Sequence, residues 1–310
     1  MTRVLTQATL PIGRIFQATA SPRAVTENDW VLTPRDIKIG EKVAGGSFGE
    51  VFIGEYMGST VAIKTPNKDI PQEMYDKFVV EVELMVGLHH PNIVRFIGAC
   101  LTIGSSFLVL EYLEKGCLYD FLRTEECANY LTYPKMIKFA TDTARGMRYL
   151  HSRVKIIQRD LKSRNLLLDY AYNVKICDFG LSRYAGGNEQ MTACGTPYWA
   201  APEVILGKAY NEKADVFSFA IVLWEICARE EPYDGRPGID TAIEVAQNGL
   251  RPRIPKSCPG AYRRLMESAW SHDPRDRPNM EQVLERLFEM GKDARAKALN
   301  AGASARVVAT

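Results

Sequence analysis

Polar side chains that could handle a hydroxyl group and a phosphate are concentrated in residues 158–165, with the sequence QRDLKSRN. A carboxylate at Asp160 can accept the proton of a hydroxyl group, and the amide oxygen of Asn165, five residues on, can bind a metal ion. Lys162 lies between them, where its charge can stabilise a phosphoryl group during transfer. A polar, salt-bridged loop is the other interpretation that this segment allows on its own.

A second set of residues has the types expected of a phosphate-binding site. Glycines in residues 43–51 (VAGGSFGEV) let backbone N–H groups approach phosphate oxygens without side chains in the way. Lys64 follows Gly49 by fifteen residues and can reach bound phosphates if a carboxylate orients it. Glu81, on the next predicted helix, is the candidate for that carboxylate. A plain hairpin and a solvated surface lysine are the alternatives.

Two tripeptides complete the set, DFG at residues 178–180 and APE at residues 201–203. An aspartate at the end of a predicted strand, here Asp178, suits a Mg²⁺ ion that bridges phosphates, and the following glycine allows a sharp turn. Each tripeptide alone fits an ordinary turn. The order and spacing of all five motifs carry far more information than any one of them.

The elements that must position these residues divide into a β-rich part and a helical part. Between residues 36 and 112, β-branched and aromatic residues predict strands at about 51–56, 61–63 and 107–110, with a turn at Gly58-Ser59 and one helix at about 72–88. Further helices are predicted at about 132–152, 212–229, 241–248, 259–270 and 279–290. We therefore expect an α+β fold with two lobes and a cleft between them, a favoured place for a small-molecule site.

The bulk composition excludes several classes of protein. With 310 residues, 46% hydrophobic and 25% charged, the chain is long enough for two lobes and has ordinary globular composition. A net charge of +2 gives no electrostatic reason to expect nucleic acid as a partner. Seven scattered cysteines without a C-x-x-C pair predict reduced thiols and a cytoplasmic protein. The most apolar window, residues 216–228, is too short to span a membrane. No acidic residue precedes Glu27, which leaves a linker or a transit peptide open for the N-terminus.

In this order the five motifs resemble those of the eukaryotic protein kinase family, over roughly residues 36–290. Trp30, the HPNI segment at residues 90–93 and the DPRDRP segment at residues 273–278 resemble the tyrosine-kinase-like group of that family. The resemblance implies a kinase domain at residues 34–291, with an N-lobe to about 112, an extension at 1–33 and a tail at 292–310. It also implies transfer of phosphate from ATP to protein substrates.

Individual roles follow from the same resemblance. It implies that Asn165 and Asp178 bind Mg²⁺, and that Asp215 anchors the 158–165 loop while Arg277 pairs with Glu203. The implied catalytic residues are Asp160, Lys64, Glu81, Lys162 and Asn165. The residues implied to contact the nucleotide, including a hinge at 111–113, are Val43, Gly46, Gly49, Val51, Ala62, Lys64, Leu110, Glu111, Leu113 and Leu167.

Two positions depart from the family pattern. Ala44 replaces the first glycine of the glycine-rich loop, and Gln158 replaces a histidine that, by resemblance, packs near Phe179 and bonds to the backbone. A glutamine amide can also donate a hydrogen bond but is longer and more flexible. We therefore expect a less stable active arrangement with its chemistry intact. A pseudokinase that binds nucleotide as a scaffold is the alternative.

The acceptor and the regulation of the site are also implied by resemblance. Lys162 fits the serine/threonine pattern, and the hydroxyl of Thr196 is expected to bridge Asp160 and Lys162, although dual specificity stays open. Arg159 beside Asp160 indicates regulation by phosphorylation of residues 178–203, the activation segment, through an upstream kinase or a phosphatase. The expected acceptor is Thr192, followed by Ser182 and Tyr184.

Overall fold

An antiparallel five-stranded sheet forms the smaller part of the molecule. The computed structural model describes residues 30–46, 49–67, 71–102, 104–184 and 196–307. The strands follow the order β1-β2-β3-β5-β4 across the sheet. Their bounds are Ile37–Gly46 (β1), Gly49–Tyr56 (β2), Ser59–Pro66 (β3), Phe96–Cys100 (β4) and Phe107–Glu111 (β5). Helix α1, Gln72–Val86, lies between β3 and β4 in the chain.

Successive side chains of β3 point alternately to the two faces of the sheet. Val61 and Ile63 are buried in an apolar cluster with Ile37 and Phe107 on one face of the sheet. Since successive strand residues point to opposite faces, Lys64 lies on the other face. That face carries Leu108, which packs with Phe78 and Val82 of α1. The sheet therefore presents its lysine towards the helix that carries Glu81.

The β2–β3 hairpin closes one residue earlier than the sequence predicted. Met57 and Gly58 form the turn, both with positive φ (50° and 76°), and Ser59 already begins β3. A two-residue loop with positive φ at both positions has the twist that suits adjacent antiparallel strands.

Two residues of the predicted N-terminal extension pack on the sheet. Within the predicted extension, residues 1–33, Leu32 is buried in the sheet cluster and its N–H donates to the Ala99 carbonyl at 2.8 Å. Trp30 packs edge-to-face on Phe96, with 5.9 Å between ring centroids. Within the described residues, packing on the sheet thus already includes Trp30 and Leu32.

The larger part is helical and surrounds one buried helix. Its main helices are α2 (Leu118–Phe121), α3 (Glu125–Tyr130), α4 (Tyr133–Arg148), α5 (Pro202–Ile205), α6 (Lys213–Ala228), α7 (Gly238–Gln247), α8 (Gly260–Ala269) and α9 (Met280–Val307). Helix α6 is apolar on nearly all sides and buried from Ala214 to Ile226, as expected of a core helix. Within the described ranges, no helix combines the length and apolarity needed to cross a membrane.

The predicted helix at 132–152 has two parts. Helix α4 gives way to a π-helical turn, Tyr149–Val154, which ends at Lys155 with φ of 62°. The chain then enters the short strand β6 (Ile156–Ile157) and the 158–165 loop. Strands β7 (Leu166–Leu168) and β8 (Val174–Ile176) form a hairpin after the loop, and β9 (Arg183–Tyr184) pairs with β6.

The last helix is longer than the prediction of 279–290. Helix α9 passes through the expected start of the tail at residue 292 and ends at Val307. Ala294 packs into the main hydrophobic cluster, so the helix contributes to the core beyond residue 291. Alanine has the highest helix propensity, which favours continuation here.

Candidate active site

One carboxylate on the buried helix α6 holds the start of the 158–165 loop in place. Asp215 accepts the backbone N–H of Gln158 at 2.8 Å and that of Arg159 at 2.9 Å. His151, from the π-helical turn, lies 2.7 Å from the same carboxylate through Nε2. Arg159 adopts a positive φ of 73°. The expected anchoring contact of Asp215 is thus present.

Asp160 lies at the centre of a hydrogen-bond cluster. Lys162 Nζ is 2.6 Å from Asp160 Oδ2, and Asn165 Nδ2 donates to the same oxygen at 3.0 Å. The hydroxyl of Thr196 donates to Asp160 Oδ1 at 2.8 Å and accepts from Lys162 Nζ at 2.8 Å. This is the bridge that the sequence predicted. It brings the activation segment into contact with both charged groups.

Lys64 and Glu81 form a part-buried ion pair between β3 and α1. Lys64 Nζ is 2.7 Å and 2.8 Å from the two Glu81 carboxylate oxygens, and 3.3 Å from Asp178 Oδ1. Burial by itself lowers the pKa of Lys64, but the charges of Glu81 and Asp178 outweigh it and raise that pKa above its ordinary value. Lys64 therefore stays protonated at neutral pH.

The carboxylate of Asp178 lies next to the ion pair of Lys64 and Glu81. Burial tends to raise the pKa of Asp178, but the charge of Lys64 and the Gly180 N–H hold it below its ordinary value, so the group is ionised. Its φ of 61° lies in the left-handed region, which is uncommon for an aspartate and frequent at functional sites. The backbone N–H of Cys177 donates to the Asn165 carbonyl at 3.0 Å, which keeps Asn165 and Asp178 adjacent.

The donor atoms of Asn165 and Asp178 fit a Mg²⁺ ion. Among the described residues, neither Asn165 Oδ1 nor Asp178 Oδ2 takes part in a hydrogen bond, since Asn165 uses its Nδ2 and Asp178 its Oδ1. One carboxylate and one amide oxygen are hard ligands of the kind that Mg²⁺ prefers.

Gln158 joins the two aspartate segments through its side-chain amide. The side chain is completely buried. Its Oε1 accepts the backbone N–H of Asp160 at 2.8 Å, and its Nε2 donates to the backbone carbonyl of Asp178 at 3.1 Å. Both ends of the amide are therefore used, and the departure from histidine leaves no buried polar atom of Gln158 without a partner.

Several residues expected to hold a purine lie on or close to β3 and β5. Ala62 lies opposite Leu110 in the β3–β5 register, and Leu167 forms a bridge with Cys117. Val43 is half exposed. The Leu113 N–H makes no hydrogen bond within the described part of the chain. It is thus available to a ligand.

The glycine-rich turn is described only at its two ends. Gly46 pairs with Gly49 at the start of β2, where Val51 follows, while Ser47 and Phe48 lie outside the described residues. A side chain at Gly49 would place Cβ 2.1 Å from the Thr65 carbonyl oxygen, so only glycine fits there.

Glu111 has a second role that its position in the sequence did not reveal. Its side chain accepts the backbone N–H of Arg95 at 2.7 Å and pairs with Lys175 Nζ at 2.7 Å and 2.8 Å. Lys175 lies on β8, three residues before Asp178. The pair therefore ties the hinge to the strand that leads to the candidate metal ligand.

Comparison with known proteins identifies the family. The family described as protein tyrosine and serine/threonine kinase matches residues 37–287. The chain belongs to this family. It is of the tyrosine-kinase-like type and has the two-lobed kinase fold.

Relatives with about two fifths identity extend over most of the chain. The chain is 42% identical over 253 residues to the probable serine/threonine-protein kinase drkA of Dictyostelium discoideum. The aligned region covers 81% of this chain and 39% of drkA. The chain is 41% identical over 281 residues to the serine/threonine-protein kinase STY17 of Arabidopsis thaliana, covering 89% of this chain and 49% of STY17. The chain thus spans less than half the length of these two relatives.

Of the three phosphate acceptors expected in the activation segment of this kinase, the structure describes Ser182 and the backbone of Tyr184. Ser182 is fully buried and its hydroxyl donates to the Gln158 carbonyl at 3.2 Å, so in this arrangement it is a structural group and not an accessible hydroxyl. Thr192 lies outside the described residues. Tyr184 pairs with Ile156 through its backbone.

The expected pair of Arg277 and Glu203 is present. It is buried, and the guanidinium nitrogens of Arg277 lie 2.6 Å and 2.8 Å from the carboxylate oxygens of Glu203.

Sequence reasoning missed the buried carboxyl group of Glu225 on α6. It accepts from Ser163 Oγ at 2.6 Å and from Trp199 Nε1 at 2.8 Å. Burial raises the pKa of Glu225 to about 7, although both hydrogen bonds oppose that rise. Glu225 thereby joins the 158–165 loop to the activation segment. A glutamate in the most apolar helix of the chain was the signal that could have revealed it.

Proposed function

We propose that this chain is an active kinase that transfers the γ-phosphoryl group of ATP to serine or threonine hydroxyls of protein substrates. The observation that carries the proposal is the position of Thr196, whose hydroxyl contacts both Asp160 and Lys162. That contact couples the substrate-side segment to the candidate catalytic carboxylate. The names of the relatives, all serine/threonine kinases, support the choice of acceptor.

On the acceptor side, Asp160 orients the substrate hydroxyl and accepts its proton as the oxygen attacks the γ-phosphorus. The bond between the γ-phosphorus and the bridging oxygen breaks, and ADP leaves with that electron pair. Lys162 stabilises the negative charge of the phosphoryl group during transfer, since its ammonium group lies 2.6 Å from Asp160.

On the nucleotide side, Lys64 binds the phosphates and Glu81 holds Lys64 in place. Asn165 and Asp178 would hold Mg²⁺, which when bound neutralises phosphate charge. Val43, Val51, Ala62 and Leu167 would hold the adenine ring, and Leu110 would close the back of that pocket. The remaining contacts of the proposed nucleotide site are the backbones of Gly46, Gly49, Glu111 and Leu113.

The contacts of Gln158 bear on the alternative of a non-catalytic scaffold. A glutamine that left the Asp160 N–H or the Asp178 carbonyl unpaired would favour a collapsed site. Its amide satisfies both groups. This supports a working active site, and no contact among the described residues favours the scaffold.

The wider setting of the kinase stays a prediction. We expect protein substrates, control by an upstream kinase or phosphatase through Thr192, and a cytoplasmic location. The domain bounds of 34–291 also stay a prediction, to which the packing of Trp30 and Ala294 adds residues at both ends.

Phosphorylation of three peptides that differ only in the acceptor, serine, threonine or tyrosine, tests the proposed specificity. We expect transfer to serine and threonine at least ~10-fold faster than to tyrosine, measured as kcat/KM. Transfer confined to tyrosine would overturn the assignment of acceptor. Comparable rates on all three would establish dual specificity instead.

A further inference from the structure

Tyr119, in the short helix α2, is held between two arginine side chains next to the 158–165 loop. The guanidinium carbon of Arg164 lies 3.4 Å from the Tyr119 ring centroid, and that of Arg123 lies 3.5 Å from it. Two carbons at these distances over one ring cannot share a face, so the guanidinium groups lie on opposite faces. Stacking of this kind fixes the plane of an arginine and leaves its edge open.

Arg164 has unused hydrogen-bonding capacity. Arg123 donates from Nη1 to the Tyr119 carbonyl at 2.7 Å, whereas Arg164 makes no hydrogen bond or ion pair among the described residues. Both arginines are exposed. Two acidic groups that contact or adjoin Tyr119 are engaged elsewhere, since Glu231 accepts the Tyr119 hydroxyl at 3.0 Å and Asp120 accepts the Cys117 thiol at 3.0 Å. Arg164 is thus an exposed, stacked guanidinium group with donors that the described residues do not use.

This group lies within reach of a bound peptide. Arg164 directly precedes Asn165, whose side chain donates to Asp160 at 2.8 Å and 3.0 Å. Consecutive Cα atoms are about 3.8 Å apart, and an extended peptide advances roughly 3.3–3.6 Å per residue. A substrate with its hydroxyl at Asp160 therefore brings residues within about four positions of the acceptor past Arg164.

We infer that Arg164, stacked on Tyr119 opposite Arg123, binds an acidic side chain of the peptide substrate close to the acceptor hydroxyl. The inference rests on the proposed function and adds a substrate class to it. A guanidinium edge matches a carboxylate or a phosphate through two parallel hydrogen bonds. Arg123 adds positive charge, and Tyr119 reduces the entropy that Arg164 loses on binding.

Peptide series test this preference by two independent readouts. Each peptide carries glutamate, phosphoserine, glutamine or lysine at one position, scanned over four residues on either side of the acceptor. Transfer is measured as kcat/KM, and binding is measured by fluorescence anisotropy of the labelled peptides. The proteins are the wild type, Arg164→Glu, and Arg295→Glu as a control at an exposed arginine on α9.

The wild type should prefer glutamate over glutamine by about 3- to 10-fold at one position or more, in both readouts. Arg164→Glu should reverse this order and favour lysine, a result that simple misfolding cannot produce. Arg295→Glu should keep the wild-type order. The size of the phosphoserine effect relative to glutamate tells whether a phosphorylated or an acidic sequence is the better ligand.

Equal glutamate-to-glutamine ratios in the wild type and Arg164→Glu would overturn the inference. A wild type that transfers no phosphate but binds glutamate peptides more tightly than Arg164→Glu does would overturn the proposed function and leave this inference standing. Phosphate transfer without any preference for acidic peptides would leave the proposed function standing and would overturn this inference.

Discussion

At the scale of single residues, hydrogen bonds of buried side chains hold the candidate catalytic segments together. Gln158 illustrates this, because one amide serves a donor and an acceptor on two different segments. An amide does not titrate, whereas the histidine usual in this family does so near neutral pH. The substitution therefore changes how the site responds to acid while preserving its hydrogen bonds.

Replacing Gln158 should separate the effect of its hydrogen bonds on the reaction rate from the effect of having a side chain that does not titrate. Gln158→Leu leaves the Asp160 N–H and the Asp178 carbonyl without partners, and we expect kcat/KM to fall about 10- to 100-fold. Gln158→His should recover most of this loss at pH 8 but lose it again near pH 6, because a protonated imidazole cannot accept from the Asp160 N–H. Rate profiles from pH 5.5 to 8.5 measure both. Parallel profiles for the wild type and Gln158→His would contradict the assigned role.

Glu225 gives a second residue-level prediction, for stability. Its pKa is raised to about 7 in the folded protein, so between the ordinary value of 4.5 and 7 the folded state binds more protons than the unfolded state. The contribution of Glu225 to stability therefore decreases as pH rises through this window. Glu225→Gln lacks this decrease.

The unfolding temperature of Glu225→Gln relative to the wild type should thus increase from pH 4.5 to pH 7 and then level off. Scanning calorimetry across this range measures the difference. A difference that is constant with pH would show that Glu225 is ionised in the folded protein throughout.

At the scale of elements, helix α6 positions the site through three polar side chains in its otherwise apolar buried stretch, residues 214–226. Asp215 holds the start of the 158–165 loop, and Glu225 holds Ser163 and Trp199. Ser218 donates to the Trp199 carbonyl at 2.8 Å. A helix that is buried from Ala214 to Ile226 thereby connects the loop with the activation segment.

The buried pair of Arg277 and Glu203 secures the end of the activation segment to α6. Arg277 also donates to the Lys213 carbonyl at 2.9 Å. Arg277→Met should destabilise the protein by about 3–5 kcal/mol, because it leaves Glu203 buried without a counter-charge. Urea unfolding measures this, and the double variant with Glu203→Gln should recover part of the loss. As a control, Asp273→Asn, in an exposed pair with Arg275, should change stability little. A similarly small effect of Arg277→Met would contradict the structural role.

At the scale of the whole molecule, the sequence predicts the two lobes and the principal charged residues because these depend on local patterns. Strand alternation locates Lys64, and helical periodicity locates Glu81. Contacts between distant segments were predicted only where the family resemblance implies them, as for Arg277 with Glu203. The pairing of Glu225 with Ser163, the stacking of Arg164 on Tyr119 and the burial of Ser182 all depend on how the helical lobe closes.

The ends of the packed region, at Trp30 and in helix α9, were also hard to predict from the sequence, for a physical reason. Trp30 and Leu32 are apolar residues in a segment without periodicity, so only their tertiary contacts mark them as part of the domain. The alanine-rich end of α9 fits either a frayed or a continuous helix by propensity alone. Packing of Ala294 against the core favours the continuous form.

Transfer of labelled γ-phosphate to a serine/threonine substrate, by the wild type and by Asp160→Asn, tests the central claim most directly. Binding of Mg²⁺-ATP, followed as a thermal shift, is measured in parallel on both proteins. We predict that both bind the nucleotide and that Asp160→Asn transfers phosphate about 10²- to 10⁴-fold more slowly, because it lacks the proton acceptor. A wild type that binds Mg²⁺-ATP but transfers no phosphate, or an Asp160→Asn variant as fast as the wild type, would contradict the account.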